Sequence, residues 1–176
     1  MTREEFQAWA DQQPSDRFER IDGIVIAMAP ERISYIRRKG SACDALRRAI
    51  REAGLTSCEV LGDGVTVQVE DSDFEPDALL HCGPRLPGDE TKVSDPLMLV
   101  EVLSPDSGTL DRASKLRAYS KLPSVLHYLI VCPEEQRIVR YSRMPNDQVA
   151  TQVFVSGEIR LDPPGITVTV EEFYAE

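Results

Sequence analysis

Two continuous apolar runs, each associated with one acidic residue, constrain the fold of this chain most strongly. One run extends from Leu97 to Leu103 and is interrupted by Glu101, and the other follows Asp77 through Leu80. Runs of this length and composition are typical of buried strands. A buried carboxylate is costly unless it is paired, hydrogen-bonded or bound to a metal ion. The sequence therefore predicts a core sheet in which two neighbouring strands each carry an acidic side chain that needs a partner.

These two carboxylates have two interpretations. On neighbouring strands they would repel each other, and one divalent cation bound by both would remove that repulsion. Mg²⁺ is usually held by one or two protein carboxylates together with several waters. Alternatively, each carboxylate accepts backbone N–H bonds at the end of its strand. Considered together, Asp77 and Glu101 favour a metal site.

The size and composition indicate one globular domain over residues 1–176. With 176 residues, 41% of them hydrophobic, the chain is long enough for one core and too short for two comfortable ones. No stretch reaches the length of a membrane span, and the first residues lack the apolar region of a signal peptide, which predicts a cytoplasmic protein without membrane contact. The net charge of −10 argues against electrostatic coating of nucleic acid, but it is compatible with a local basic surface.

The four cysteines are widely spaced and include no C-x-x-C pair. Zinc sites and disulfide frameworks usually show tighter grouping. Because three of the four lie in apolar stretches, we expect buried, reduced thiols at all four positions. These positions are Cys43, Cys58, Cys82 and Cys132.

Capping and turn residues predict the helices. Thr2 and Glu5 match a capping box that begins a helix through about residue 12. A long helix is expected over about 33–53, and a third over about 109–122. The first turn of the third helix has three candidate caps, Asp106, Ser107 and Thr109.

The long helix has two predicted faces. Its apolar stripe is expected to contain Ile36, Cys43, Leu46 and Ile50. Arginines dominate an outer arc, which is either a solvated helix face or a surface that contacts phosphate; the solvated face is the more common case. The arc contains Arg37, Arg48 and Arg51, with Arg38 and Arg47 beside it.

The strands complete the fold prediction. Asp22-Gly23 between two apolar runs is a strong hairpin signal. Further strands are expected near 58–62, 65–70, 77–82, 97–103, 126–132, 137–142, 149–155 and 166–170, before a short closing helix. This order is typical of an α/β or α+β domain with a central mixed sheet flanked by helices.

Ordered motifs along most of the chain resemble those of the Uma family in the PD-(D/E)XK nuclease superfamily. Residues 18–30 are similar to its opening motif, Y-E-L-I-D-G-E-I-x-x-M-S/A-P. Pro76-Asp77, followed by the strand with Glu101, has the layout of the superfamily. Residues 99–106, 111–119 and 125–133 resemble V-E-V-L-S-P-S/D, D-x-x-x-K-x-x-x-Y and V-x-E-Y-W-x-V-D-P. The likeness extends from about residue 3 to the C-terminus.

The resemblance implies a restriction endonuclease-like fold and hydrolysis of DNA that depends on Mg²⁺ or Mn²⁺. Position by position, it implies that Glu19, Asp77 and Glu101 are acidic site residues, with Asp77 and Glu101 as the metal ligands. The motif's usual lysine, two residues after the second acid, is Leu103 here. Lys115, on the following helix, is the candidate substitute that stabilises charge on the phosphate or orients the attacking water. Glu19 would complete the metal shell directly or through a water.

Two of these residues also have structural interpretations. Lys115 would form an ordinary i,i+4 pair with Asp111 on an exposed helix, and Glu19 would lie on the solvent face of the hairpin. Helical spacing, however, puts Lys115 on the same face as Tyr119 and Leu122, which must turn inward. An inward lysine needs a carboxylate partner, and the acidic site residues can supply one.

One departure from the family pattern leaves the activity open. The family commonly has a histidine at the start of the long helix, where this chain has Tyr35. Tyrosine remains neutral near pH 7 and cannot replace a histidine base. The alternatives are therefore an endonuclease and a nuclease-fold protein without turnover that acts as a binding or assembly module. A small-molecule-binding α/β protein is more distant, because the chain has no glycine-rich phosphate loop.

A homodimer is the expected assembly. A small acidic monomer has little affinity for duplex DNA, because phosphate neutralisation supplies most non-specific binding. A two-fold dimer would present two metal sites and two arginine arcs to opposite strands.

Overall fold

A computed structural model describes residues 1–13, 15–104 and 109–175 of the chain. Within these ranges there are four α-helices, α1 (Arg3–Ala10), α2 (Ile33–Glu52), α3 (Thr109–Tyr119) and α4 (Val170–Phe173). The strands are β1 (Phe18–Ile21), β2 (Ile24–Ala27), β3 (Cys58–Gly62), β4 (Val67–Val69), β5 (Ser72–Phe74), β6 (Ala78–Cys82), β7 (Met98–Val102), β8 (His127–Cys132), β9 (Arg137–Arg143), β10 (Val149–Phe154), β11 (Glu158–Leu161) and β12 (Ile166–Thr169). A 3₁₀ turn over Pro133–Glu135 follows β8.

The central sheet has the strand order β10-β9-β8-β7-β6-β3. Strands β7 and β8 are parallel and the other described neighbours are antiparallel, so the sheet is mixed, as predicted. Ala78 is paired with Val100 across β6 and β7. This register puts Asp77, immediately before β6, opposite Glu101 on β7. The two predicted metal ligands therefore lie at the same end of two adjacent strands.

Packing on both faces explains why β7 is a continuous apolar run. Helix α2 packs against β3, β6, β7 and β12, and its core on this side includes Leu46 and Val100. The opposite face packs against α3 and a second sheet, in a core that includes Leu99, Tyr119 and Phe74. All five residues of β7 are buried. A strand covered on both faces has no solvent side and therefore no alternation of polar residues.

The second sheet positions the N-terminal hairpin, and its order is β2-β1-β5-β4. Asp22 and Gly23 have φ values of 49° and 77°, as a type I′ hairpin turn requires. Arg20 on β1 forms a buried ion pair with Asp73 on β5, with Nε and Oδ2 2.6 Å apart. Arg3 on α1 contacts the other Asp73 oxygen at 2.8 Å. Asp73 thus fixes both α1 and the hairpin.

Most predicted elements agree with the structure, including the capping box at Thr2 and Glu5. Two short strands, β5 and β11, were missed. The three residues of β5 include a serine and an aspartate although all are buried, and β11 alternates exposed and buried residues over only four positions. The apolar stripe of α2 was assigned wrongly at its first residue, because Ile36 is 55% exposed and Tyr35 is buried. The predicted α3 caps, Asp106, Ser107 and the Thr109 side chain, lie outside the described residues.

The cysteine prediction was wrong for two of the four residues. Cys58 and Cys82 are directly paired on β3 and β6 and form a disulfide. They are 24 residues apart in the sequence, and only the strand register makes them neighbours. Cys43 and Cys132 are free and buried, as expected.

Two arginines of the α2 arc, Arg38 and Arg48, form contacts within the protein. Arg48 pairs with Glu172 on α4 and with Glu52. The Arg38 guanidinium lies over the Tyr174 ring, 4.7 Å from its centroid. The contacts with Glu172 and Tyr174 join the C-terminal segment to α2, so Arg38 and Arg48 have a structural role.

In the portion of the chain that is described, no helix has the length and apolar character needed to cross a bilayer.

Candidate active site

Charged side chains that are almost completely buried meet where β6 and β7 approach α2, α3 and β1. They are between 6% and 8% exposed. We call them the buried charge cluster, and within the described residues its members are Glu19, Lys39, Asp77, Glu101 and Lys115. The structure thus brings together all four site residues predicted from the sequence. It also adds Lys39, which the sequence analysis did not identify.

Lys115 links two of the carboxylates. Its Nζ lies 3.0 Å from Glu19 Oε1 and 3.1 Å from Glu101 Oε2. The Tyr119 hydroxyl, one helical turn later, donates to Glu101 Oε1 at 3.0 Å. The inward orientation of this face of α3 is therefore confirmed, and the alternative of an exposed Lys115 is wrong. The Asp111 side chain lies outside the described residues.

Glu19 connects the hairpin to the segment between β5 and β6, which leads to Asp77. In addition to Lys115, its Oε1 accepts the backbone N–H of Glu75 at 2.9 Å. Glu19 is buried because its side chain points from β1 into the cluster, where it meets Lys115 and the Glu75 N–H. The solvent-face interpretation of Glu19 is wrong.

Asp77 has a partner for each oxygen. Its Oδ2 accepts the backbone N–H of Val102 at 2.6 Å, and its Oδ1 lies 2.7 Å from Lys39 Nζ. The strand-end hydrogen bond that the sequence suggested as an alternative is therefore present, and it coexists with an ion pair. Both oxygens of this carboxylate are engaged.

Lys39 is the site residue that sequence reasoning missed. It lies on the buried stripe of α2, four residues after Tyr35 and four before Cys43. Besides Asp77, its Nζ contacts Glu31 and, at 3.5 Å, Asp63 Oδ2. The signal that could have revealed it is a lysine at a core position of an amphipathic helix, where a charge needs a partner.

The pKa directions follow from crowding and burial. Burial raises the pKa of Glu101 to about 8, opposed by Lys115 and reinforced by the negative charges of Asp77 and Glu19. Burial also raises the pKa of Asp77, although Lys39 opposes it. For Lys39 burial acts downward, but Asp77 and Glu31 outweigh it and the pKa is raised. Several carboxylates in a poorly solvated space favour the arrival of a further cation.

The donor chemistry fits a hard divalent cation. Asp77 and Glu101 offer carboxylate oxygens from adjacent strands, and such ligands suit Mg²⁺ or Mn²⁺. In their present arrangement these oxygens face Lys39, Lys115, Tyr119 and a backbone N–H. No three His, Cys, Asp or Glu side chains in the described ranges are grouped as a ready-made metal site. Asp77 and Glu101 are the residues of the cluster that could supply carboxylate ligands to a metal ion, and both are engaged by other groups in this structure.

Tyr35, at the position where the family commonly has a histidine, contacts an acidic side chain outside the buried charge cluster. Its hydroxyl donates to Glu134 Oε1 at 3.2 Å, in the 3₁₀ turn after β8. The residue of α2 that reaches Asp77 is Lys39, one turn later.

Comparison with known proteins identifies the family. The sequence profile of the Uma2 family, described as "Putative restriction endonuclease", matches residues 3–171. The chain belongs to the Uma2 family. The resemblance seen in the sequence motifs is thereby confirmed, and the description of the family points to a nuclease.

Two relatives extend this result. The chain is 25% identical over 181 residues to an uncharacterized protein of Synechocystis sp., and the match covers 99% of this chain and 91% of that protein. The crystal structure of a "putative nuclease belonging to DUF820" from Anabaena variabilis is similar, with a TM-score of 0.73 at 15% identity over 89% of each chain. The structural similarity confirms the predicted restriction endonuclease-like fold for this Uma2 member.

Proposed function

We propose that this protein is a metal-dependent endonuclease that hydrolyses phosphodiester bonds of DNA at the buried charge cluster. The observation that carries the proposal is the position of Lys115, which contacts both Glu19 and Glu101, with Glu101 on the strand paired to the one that begins after Asp77. Two acids on adjacent strands and a nearby lysine are the groups that this reaction requires. Membership of the Uma2 family supports the same reaction class.

Each residue has a distinct role in this proposal. Asp77 and Glu101 would hold Mg²⁺ or Mn²⁺, which when bound polarises the phosphate and lowers the pKa of a coordinated water. The Lys115 ammonium stabilises negative charge that develops on the phosphoryl oxygens. Glu19, itself fixed by the Glu75 N–H, holds Lys115 in position.

The helix α3 contributes orientation as well as charge. Tyr119 and Lys115 bind the two different oxygens of Glu101 from successive turns. Their hydrogen bonds limit rotation of the carboxylate, which preorganises it relative to Asp77. Preorganised charges stabilise a transition state without reorganisation during the reaction.

The direct test is incubation of the purified protein with supercoiled plasmid and either Mg²⁺ or Mn²⁺. We expect conversion to nicked or linear DNA, abolished by EDTA. Lys121→Ala is a suitable control, because Lys121 is exposed and pairs with Glu70. Plasmid that remains supercoiled with every metal would contradict the proposal.

A second candidate function is a nuclease-fold protein without turnover that acts as a binding or assembly module. Two observations favour it, namely Tyr35 at the family's histidine position and the Lys39–Asp77 ion pair. The two candidates differ in one measurement, since the module predicts intact DNA even under conditions where Mn²⁺ is bound. Tyr35→His would then be the first variant to examine for restored nicking.

We further propose that the protein acts in the cytoplasm as a homodimer. Two copies related by a two-fold axis would place one cluster near each strand of a duplex. The net charge of −10 supports dimerisation, because a single small acidic chain has few groups that neutralise phosphates.

A further inference from the structure

We infer that Lys39 is a built-in counter-cation of Asp77, which has to leave this carboxylate before a metal ion can bind there. The inference rests on the proposed function, because it concerns the same site. It assigns to Lys39 a role different from that of Lys115. Lys39 would set the affinity of the site for metal, and Lys115 would act on the phosphate.

The first argument is the contact itself. Lys39 Nζ lies 2.7 Å from Asp77 Oδ1, while Asp77 Oδ2 is already bound to the Val102 N–H at 2.6 Å. A metal ion that approached Asp77 would therefore find Oδ1 occupied by the Lys39 ammonium group. Two cations on one buried carboxylate repel each other strongly, because the low dielectric of the interior screens them poorly.

The second argument is that other carboxylates lie within reach of the Lys39 ammonium group. Its Nζ also contacts Glu31 and lies 3.5 Å from Asp63 Oδ2. The side chains of these acids are 31% and 37% exposed, whereas that of Asp77 is 9% exposed. The four-carbon stem of lysine is flexible. The ammonium can therefore withdraw from Asp77 toward the surface and remain paired throughout.

The third argument concerns charge balance. In the cluster, Lys39 and Lys115 face the carboxylates of Glu19, Asp77 and Glu101. Lys115 contacts two of these carboxylates, Glu19 and Glu101. Of the three carboxylates, Lys39 contacts Asp77. A divalent ion between Asp77 and Glu101 would make the Lys39 charge redundant. The same ion would leave the contact between Lys115 and Glu19 in place.

Calorimetric titration of the full chain with Mn²⁺ alone tests this inference. Lys39→Met removes the competing charge, and we expect Mn²⁺ to bind about tenfold tighter or more. Lys39→Arg keeps a cation beside Asp77 and should bind Mn²⁺ no more tightly than the wild type. Arg17→Met is the matched control. It removes one positive charge from the neighbouring contacts with Asp63 and Glu75 without touching Asp77. We expect its Mn²⁺ affinity to stay within about fivefold of the wild type.

The outcomes separate the inference from the proposed function. Equal Mn²⁺ affinity in Lys39→Met and the wild type would overturn the inference while leaving the metal site standing. An equal gain in Arg17→Met would also overturn it, since the effect would then be one of net charge. No Mn²⁺ binding in any variant would remove the metal site, and the inference with it. If Lys39→Met folds only when Mn²⁺ is present, the metal has replaced the lysine and the inference is supported. Should that variant not fold under either condition, Lys39→Gln supplies the same comparison.

Discussion

The Tyr119 hydroxyl and the Glu101 carboxylate form a buried hydrogen bond of 3.0 Å between α3 and the central sheet. Lys115 binds the other oxygen of the same carboxylate at 3.1 Å. Because the two donors are four residues apart, a single helix face fixes the orientation of Glu101. The position of α3 therefore controls the geometry of the proposed metal ligand.

Substitution of Tyr119 by Phe should destabilise the protein. It leaves one oxygen of a buried Glu101 without its donor, and such a loss typically costs about 1–3 kcal/mol. Urea denaturation measures the change in the free energy of unfolding. Tyr141→Phe, in the neighbouring aromatic stack on β9, is the control and should cost less. Equal stability of Tyr119→Phe and the wild type would argue against a structural role for this hydrogen bond.

Substitution of Lys115 by Ala should reduce DNA cleavage steeply and leave metal affinity nearly unchanged. Loss of one preorganised charge donor typically lowers a rate by about 10²–10³. Plasmid nicking rates, with circular dichroism to verify folding, provide the measurement. A reduction of only a few-fold would restrict Lys115 to a structural ion pair.

The substitutions Asp77→Ala and Glu101→Ala should each abolish Mn²⁺ binding. Both carboxylates lie at one end of adjacent strands, so removal of either leaves too few charged ligands for a weakly held ion. Calorimetry with Mn²⁺ measures this directly. Binding curves that match the wild type in both variants would refute the assignment.

The pH dependence of stability should include a contribution from His127. Burial lowers its pKa below the ordinary value of 6.5, and its Nε2 lies 2.8 Å from the Pro163 carbonyl oxygen. The unfolded chain therefore binds the proton more readily, and the free energy of unfolding decreases as the pH falls below about 6.5. The decrease stops once the pH is below the folded-state pKa.

Titration of Glu101 changes the free energy of unfolding with the opposite sign, so the contribution of His127 has to be separated from it. Comparison of the wild type with His127→Gln provides that separation. The raised pKa of Glu101 means that its own contribution to stability is lost as the pH rises toward about 8. Urea denaturation at pH 7.5 and 5.5 should show a smaller loss of stability on acidification for His127→Gln than for the wild type. Identical slopes would contradict the prediction.

If the protein is a homodimer, light scattering at micromolar concentration should give a mass of about twice the chain mass of 19.7 kDa. A single species at 19.7 kDa under these conditions would refute this assembly.

The sequence was sufficient for those site residues whose position follows from local periodicity. Glu101 and Asp77 interrupt or begin apolar runs, and the inward side of Lys115 follows from its spacing to Tyr119. Lys39 was missed although it lies three residues after Ile36 and four before Cys43, on the predicted stripe of α2, because a lysine does not register in a search for apolar residues.

Long-range pairing accounts for two further errors, the missed strand β5 and the missed disulfide. Strand β5 contains Ser72 and Asp73, which no apolar pattern would assign to a buried strand. Asp73 is buried because it pairs with Arg20 and Arg3, which are far away in the sequence. The Cys58–Cys82 bond likewise depends on the register of β3 and β6. Such contacts exist only in the assembled fold.

The buried charge cluster draws its members from positions 19, 39, 77, 101 and 115, on elements that are distant along the chain. Contacts with such large sequence separation form late, because the loops between them must close first. Until all the elements have docked, at least one of these charges lacks its partner, and burial of an unpaired charge is strongly unfavourable. We therefore expect the site to become enclosed only when the sheet, α2, α3 and the hairpin dock together, because any element left out would bury a charge without its partner.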